Sequence, residues 1–321
     1  MAAIVTIGGM ASRPIIIDCD PGHDDAAALL LAFASPGDLD VLGVTVVAGN
    51  VPLGHTEANA RRICELAGRA DVGVYAGCAA PLERPLVTAE EVHGETGLEG
   101  SGLGEPAMAL ADEHAVDFIV ETLLAAPDGV VTLAPTGPLT NVAAAMIREP
   151  RILPKISEIV LMGGSIGLGN VTPAAEFNIY VDPHAADAVF ASGARLTMLG
   201  LDVTHKALIT KERLAAIGTL GTPVGDAVAG MLEVYNRHHA ERYGRVGGPL
   251  HDPCVIAYLL RPELFSGRQV HVKVETRSEL TMGRTVVDWL GVTGEVANAT
   301  VIDDIDADGF YALLTERLAR L

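Results

Sequence analysis

Four aspartates fall within eight residues near the start of the chain, in the run Asp18-Cys19-Asp20-Pro21-Gly22-His23-Asp24-Asp25. Carboxylates crowded this closely raise one another's pKa, so they cannot all stay ionised unaided. A divalent cation resolves the conflict, and an all-oxygen donor set suits a hard one. The chemistry to expect here is that of a metal-centred active site. The segment is not an EF-hand loop. Gly22 falls at loop position five rather than six, and no Glu stands at position twelve.

The elements on either side explain how such a cluster is presented. Pro14-Ile15-Ile16-Ile17 reads as a short buried strand, Pro21-Gly22 as a sharp turn, and Ala26 to Phe33 as a helix. Asp18 and Asp20 share a face at strand period, while Asp24 and Asp25 open the helix. Strand-like runs then alternate with helical ones, at 40–47, 72–75, 130–134, 158–162 and 195–201. This alternation predicts a single α/β domain over residues 1–321, with a mostly parallel, doubly wound sheet flanked by helices. Residues 1–13 read as a flexible leader. From about Lys211 to Leu260 the pattern is helical. The stretches 269–274 and 284–289 then read as a small antiparallel pair, closed by a helix over 308–321. A glycine-rich loop of about 76–104 is too long for a passive connection.

In open α/β sheets ligands bind at the carboxyl ends of the strands. Those ends carry the four aspartates, Asn50, the turn Pro135-Thr136-Gly137-Pro138, and Met162-Gly163-Gly164, followed by Asn170, Glu176 and Asn178. All are rich in oxygen and none is basic. A phosphate site calls for Lys, Arg or a glycine nest opening a helix, so a neutral polyol is the better match. This also argues against a haloacid-dehalogenase-like phosphohydrolase, despite the Asp18-Cys19-Asp20 spacing. Late in the chain comes His251-Asp252-Pro253-Cys254. Here Asp252 reads equally as a helix cap or a ligand. Tyr235, His239 and Tyr243 recur every four residues and so line one helix face, either as packing or as a wall for a flat ring.

The bulk numbers narrow the function class. A formal net charge of −19 argues against nucleic acid or an anionic membrane as partner. The four cysteines, Cys19, Cys64, Cys78 and Cys254, have no CxxC spacing and read as free, buried thiols. No apolar run reaches the roughly 18 residues needed to span a bilayer. The leader has no basic segment of the kind that opens a signal peptide, so a cytoplasmic protein is expected.

Taken together, these motifs resemble the nucleoside hydrolases, which split ribonucleosides into ribose and free base. The matching segments are the aspartate run, Val47-Ala48-Gly49-Asn50, His93-Gly94-Glu95-Thr96-Gly97-Leu98, Pro135 to Asn141, Glu176-Phe177-Asn178 and His251-Asp252-Pro253-Cys254. The resemblance implies a calcium ion held by Asp20, Asp25, the Thr136 carbonyl and Asp252. It also implies that Asp20 takes the proton of the attacking water. Asp24, Asn50, Met162, Asn170, Glu176 and Asn178 would bind the ribose, with Asp18 supporting the cluster from behind. His251 would supply a proton or hydrogen bond to the leaving base. His93, His239, Tyr243 and Tyr235 would approach that base. The stretch from Arg242 to Asp252 leans towards uridine and cytidine, with inosine also possible. A homodimer or homotetramer is implied too. The competing reading is a non-catalytic, calcium-dependent nucleoside or sugar binder of the same fold. Asp20→Ala would separate the two, because an enzyme loses turnover by orders of magnitude and a binder loses only affinity. His55, His114, His184, His205 and His238 are assigned no role, and Trp289 reads as a core anchor.

Overall fold

The computed structural model describes residues 12–244 and 247–321, with the side chains of Arg242 and Tyr243 outside the described residues. Residues 1–11 of the expected leader also lie outside them. Arg13 already belongs to the first strand, so the chain enters the sheet one residue ahead of Pro14. The strands are β1 (Arg13–Cys19), β2 (Leu39–Val46), β3 (Val74–Ala76), β4 (Val131–Pro135), β5 (Ile156–Met162), β6 (Leu196–Leu199), β7 (Phe265–Val270), β8 (Val272–Val274), β9 (Thr285–Val287) and β10 (Ala299–Ile305). Eight of them form one sheet in the order β3-β2-β1-β4-β5-β6-β10-β7. All pairings in it are parallel except that of β7 with β10.

Both faces of this sheet are covered. Ile15 and Ile17 point into one apolar layer, and Ile16 points into the other. This accounts for a run of three isoleucines with no polar alternation. The helix His23–Phe33 is buried along its whole length, as a helix apolar all round must be. The strand order reverses between β1 and β4, which neighbour each other and pair Asp18 with Pro135. The crevice at that switch point is where an open α/β sheet binds its ligand.

The carboxyl-terminal region departs from expectation. Residues 269–274 do not form one strand. Its first part belongs to β7 at the edge of the large sheet, and only β8 pairs with β9. β10 was not foreseen. It runs parallel to β6, and Asp303 and Asp304 interrupt its apolar pattern where the register with β7 shifts. The helical stretch from Lys211 is three helices, Lys211–Gly218, Pro223–Tyr243 and Pro253–Leu260. The loop after β3 contains one short helix, Glu90–His93. Trp289 is only partly buried, with the Arg268 guanidinium 3.8 Å from its ring centre, so it borders the core without anchoring it. All four cysteines are free, although Cys78 is only half-buried.

Candidate active site

β1 ends at Cys19 and the chain turns at once, which delivers Asp20, Asp24 and Asp25 to the switch-point crevice. Asp20 and Asp25 are 1% and 0% exposed. Asn50, at the end of β2, ties them together. Its backbone N–H donates to Asp20 Oδ2 (2.7 Å), and its side-chain amide donates to the Asp20 carbonyl (3.1 Å) and to Asp25 Oδ2 (3.2 Å). Asp25 also accepts from the Gly22 amide (3.0 Å) and the Thr136 hydroxyl (2.8 Å). Asp252 arrives from the far end of the chain as the residue preceding the helix Pro253–Leu260. Its side chain makes no capping hydrogen bond there. It meets Asp24 and Asp25 instead, with one oxygen from each of the three within 4.8 Å of the others.

Burial and mutual repulsion govern this cluster. Burial, reinforced by Asp24, raises Asp25 to about 7. Burial and the neighbouring carboxylates raise Asp20 and Asp252 well above the usual carboxylate range. One oxygen each of Asp18, Asp20 and Asp24 is buried without a hydrogen-bond partner. Buried carboxylate oxygens left in that state are costly unless a cation or a proton meets them. The residues therefore fit a hard divalent ion. Asp18 takes different partners from Asp20, accepting from the Thr45 hydroxyl (2.6 Å) and the Asn141 amide (2.8 Å) behind the cluster.

One wall comes from the loop after β5 and the short helix Phe177–Val181. Glu176 precedes that helix, and its carboxylate accepts from the backbone amides of Gly164, Asn178 and Ile179 at 2.9–3.1 Å. The Asn178 side chain donates to the carbonyls of Thr136 (2.7 Å) and Met162 (3.2 Å). Asn170 accepts from the Phe177 amide at 2.9 Å.

The opposite wall is aromatic. His93 is buried and packs against Gly22, where a Cβ would lie 2.6 Å from its Nδ1. Its ring lies 5.9 Å from that of Tyr235, which is 6.4 Å from that of His239. His251 Nδ1 is 2.7 Å from the Thr204 hydroxyl. These walls and the acidic floor enclose a cavity of about 550 Å³. Among the described residues, no Lys or Arg lines it.

The sequence pattern of the inosine-uridine preferring nucleoside hydrolases matches residues 15–312, a span that holds the floor and both walls. The chain belongs to the nucleoside hydrolase family. It is similar to two proteins named pyrimidine-specific ribonucleoside hydrolase RihA. The one from Salmonella newport (strain SL254) is 50% identical over 95% of this chain and 98% of the relative. The one from Shewanella sp. (strain ANA-3) is 51% identical over 96% of each. Among solved structures, a purine-preferring ribonucleoside hydrolase from Gardnerella vaginalis matches with a TM-score of 0.89 at 32% identity, covering 96% of this chain and 98% of that one.

This nucleoside hydrolase brings together most of the residues singled out from sequence. Asp24, Asn50, Thr136, Met162, Asn170, Glu176, Asn178, His93, Tyr235, His239, His251 and Asp252 all line the one cavity. The differences are local. Asp24, expected with the ribose set, has a carboxylate oxygen within 4.8 Å of one from each of Asp25 and Asp252, while Asn50 ties Asp20 to Asp25. Tyr243 is the last residue of its helix, and its side chain lies outside the described residues. The Tyr235 hydroxyl donates to the Pro249 carbonyl (3.1 Å), so it also anchors the segment leading to His251. His205 and His238 line the cavity although the sequence assigned them no role. Buried His23 stands 5.4 Å from His93, ring to ring. The carboxyl end of β6, read by the same strand-end rule as β1 to β5, would have pointed to Thr204 and His205.

Proposed function

We propose that this chain hydrolyses the N-glycosidic bond of ribonucleosides in a calcium-dependent reaction, with uridine and cytidine preferred and inosine a poorer substrate. The observation that carries the reading is the convergence of Asp24, Asp25 and Asp252 at the floor of a nucleoside-sized cavity, with Asp20 tied to Asp25 through Asn50 and buried carboxylate oxygens of Asp20 and Asp24 left without partners. The pyrimidine preference is supported by likeness to the RihA proteins at about half identity.

A calcium ion held by Asp20, Asp25, the Thr136 carbonyl and Asp252 would supply a polarised water and a grip on vicinal hydroxyls. Asp24, Asn50, Met162, Asn170, Glu176 and Asn178 hold the ribose. The water oxygen bonds to the anomeric carbon as the C–N bond breaks, and the bonding pair leaves with the base. Asp20 accepts the proton of that water, a role suited to a buried carboxylate that the Asn50 amide holds in place. The surrounding carboxylates favour the positive charge that develops on the sugar. The base departs as an anion held by a hydrogen bond from His251. It then takes up a proton, which balances the one taken by Asp20. His93, Tyr235 and His239 flank the base, and the Tyr243 position adjoins them in sequence. Free thiols support a reducing, cytoplasmic setting, and family resemblance supports a homo-oligomer.

The test is ribose release from uridine, cytidine, inosine and adenosine in phosphate-free buffer, with and without a calcium chelator. Release from uridine and cytidine that disappears on chelation and returns with calcium is the expected result. No release from any of the four by folded, calcium-replete protein would overturn the reading.

A further inference from the structure

The short helix Leu201–Thr204 follows β6 and is pressed against the end of β5. The Leu201 amide donates to the Gly164 carbonyl (2.9 Å), and a Cβ on Gly200 would lie 2.7 Å from that same oxygen. Asp202 accepts from the backbone amides of Ile166 (2.5 Å) and Gly167 (3.2 Å), in the loop that leads to Asn170. Thr204 is therefore held on a rigid support, and it is 0% exposed.

A buried hydroxyl must find a hydrogen-bond partner, and a hydroxyl can either donate or accept. A helical threonine often donates to a carbonyl one turn back, but the Gly200 carbonyl already accepts from the amides of Val203 and Thr204. Among the described residues, the partner recorded for the Thr204 hydroxyl is His251 Nδ1, at 2.7 Å. If Nδ1 carried the proton, the hydroxyl would accept and its own buried hydrogen would have no acceptor. If the hydroxyl donates, both groups are satisfied.

We propose that Thr204 is a positioning residue for His251, donating its hydroxyl hydrogen to Nδ1 and so fixing the neutral ring with its proton on Nε2, the nitrogen left for the departing base. The choice of tautomer decides the ring's role. With the proton on Nε2 the ring is a hydrogen-bond donor to the anion that leaves, and with it on Nδ1 the ring would present a lone pair and repel that anion. The proposal rests on the reading of His251 given under Proposed function.

The test compares uridine with 4-nitrophenyl β-D-ribofuranoside, whose nitrophenolate leaves readily without a donor. Thr204→Val keeps the shape and removes the hydroxyl. The expected result is a fall in kcat on uridine of about 10- to 100-fold with KM within about threefold, and a change below about threefold on the nitrophenyl riboside. Thr204→Ser should recover most of the uridine turnover. Equal losses on both substrates would mean a merely structural role and overturn the proposal. If Thr204→Val leaves uridine turnover intact while His251→Ala abolishes it, positioning by Thr204 is wrong and the role of His251 stands. If His251→Ala also leaves uridine turnover intact, the underlying reading of His251 fails. Should the valine variant not fold, ¹⁵N spectra of the imidazole nitrogens in the unaltered protein decide the matter. A protonated Nε2 on His251 is expected, and a protonated Nδ1 would overturn the proposal.

Discussion

The side-chain amide of Asn178 lies 2.7 Å from the Thr136 carbonyl and 3.2 Å from that of Met162, joining the ends of β4 and β5 across the site. One residue thus orients the carbonyl proposed as a calcium ligand and also lines the cavity proposed to hold the ribose. Asn178→Ala should lower apparent calcium affinity by about 10- to 100-fold, the usual cost of losing a group that orients a ligand. Calcium titration of activity would show this. An unchanged half-saturation point would mean that the Thr136 carbonyl needs no such support.

Gly49 offers a sharper perturbation of Asp20. A Cβ there would lie 2.1 Å from Asp20 Oδ2 and 2.9 Å from Pro138 Cδ. The carboxylate is buried and already holds the Asn50 amide, so it has little room to retreat. Gly49→Ala should cut turnover of uridine by at least about 10²-fold, the scale of losing a positioned base, while the far-ultraviolet circular dichroism stays native. Near-normal turnover in a folded variant would argue that Asp20 is not the base.

Much of this site was legible because its chemistry is local in sequence. The aspartate run, Asn50 and the turn after β4 each sit at a strand end, where parallel topology alone brings them together. Asp252 was ambiguous for a physical reason, since an Asp before Pro253 satisfies the rules for a helix cap. Only the fold shows its side chain turned to Asp24 and Asp25. Thr204 and His205 were missed because they stand a helical turn beyond the end of β6, and Leu201-Asp202-Val203-Thr204 has no spacing that marks chemistry. β10 was hidden by its paired aspartates, which break the apolar run expected of a sheet strand. The aromatic wall depends on how the loop carrying His93 meets the helix Pro223–Tyr243, a long-range packing that no local pattern encodes.

His93 should leave a mark on stability as well as on base binding. Burial lowers its pKa to about 4, whereas in the unfolded chain it titrates near 6.5. Between those values the unfolded state binds more protons, so stability falls as pH drops from about 6.5 to about 4. The loss attributable to this ring is at most roughly 3 kcal/mol across that window. His93→Gln lacks the titration, so denaturant melts should show its stability declining less steeply than the parent's over the same range. Parallel curves would refute the assignment.

The carboxylate floor predicts the opposite pH trend and links it to calcium. Burial, with Asp24 beside it, raises Asp25 to about 7, and burial raises Asp18 to about 7. In metal-free protein the folded state therefore holds more protons than the unfolded chain between about pH 4 and 7, so these groups cost stability as pH rises through that window. A calcium ion bound there, as proposed, would take the place of protons on the carboxylates it touches, and its binding would release them. The rise in Tm on adding calcium should therefore be small near pH 5 and grow steadily to about pH 7.5. Asp252→Asn removes one of the converging charges. Without calcium it should melt at or above the parent temperature at pH 7.5, yet gain little when calcium is added. A calcium-induced Tm rise that is flat with pH, or one that Asp252→Asn retains in full, would show that the ion binds elsewhere.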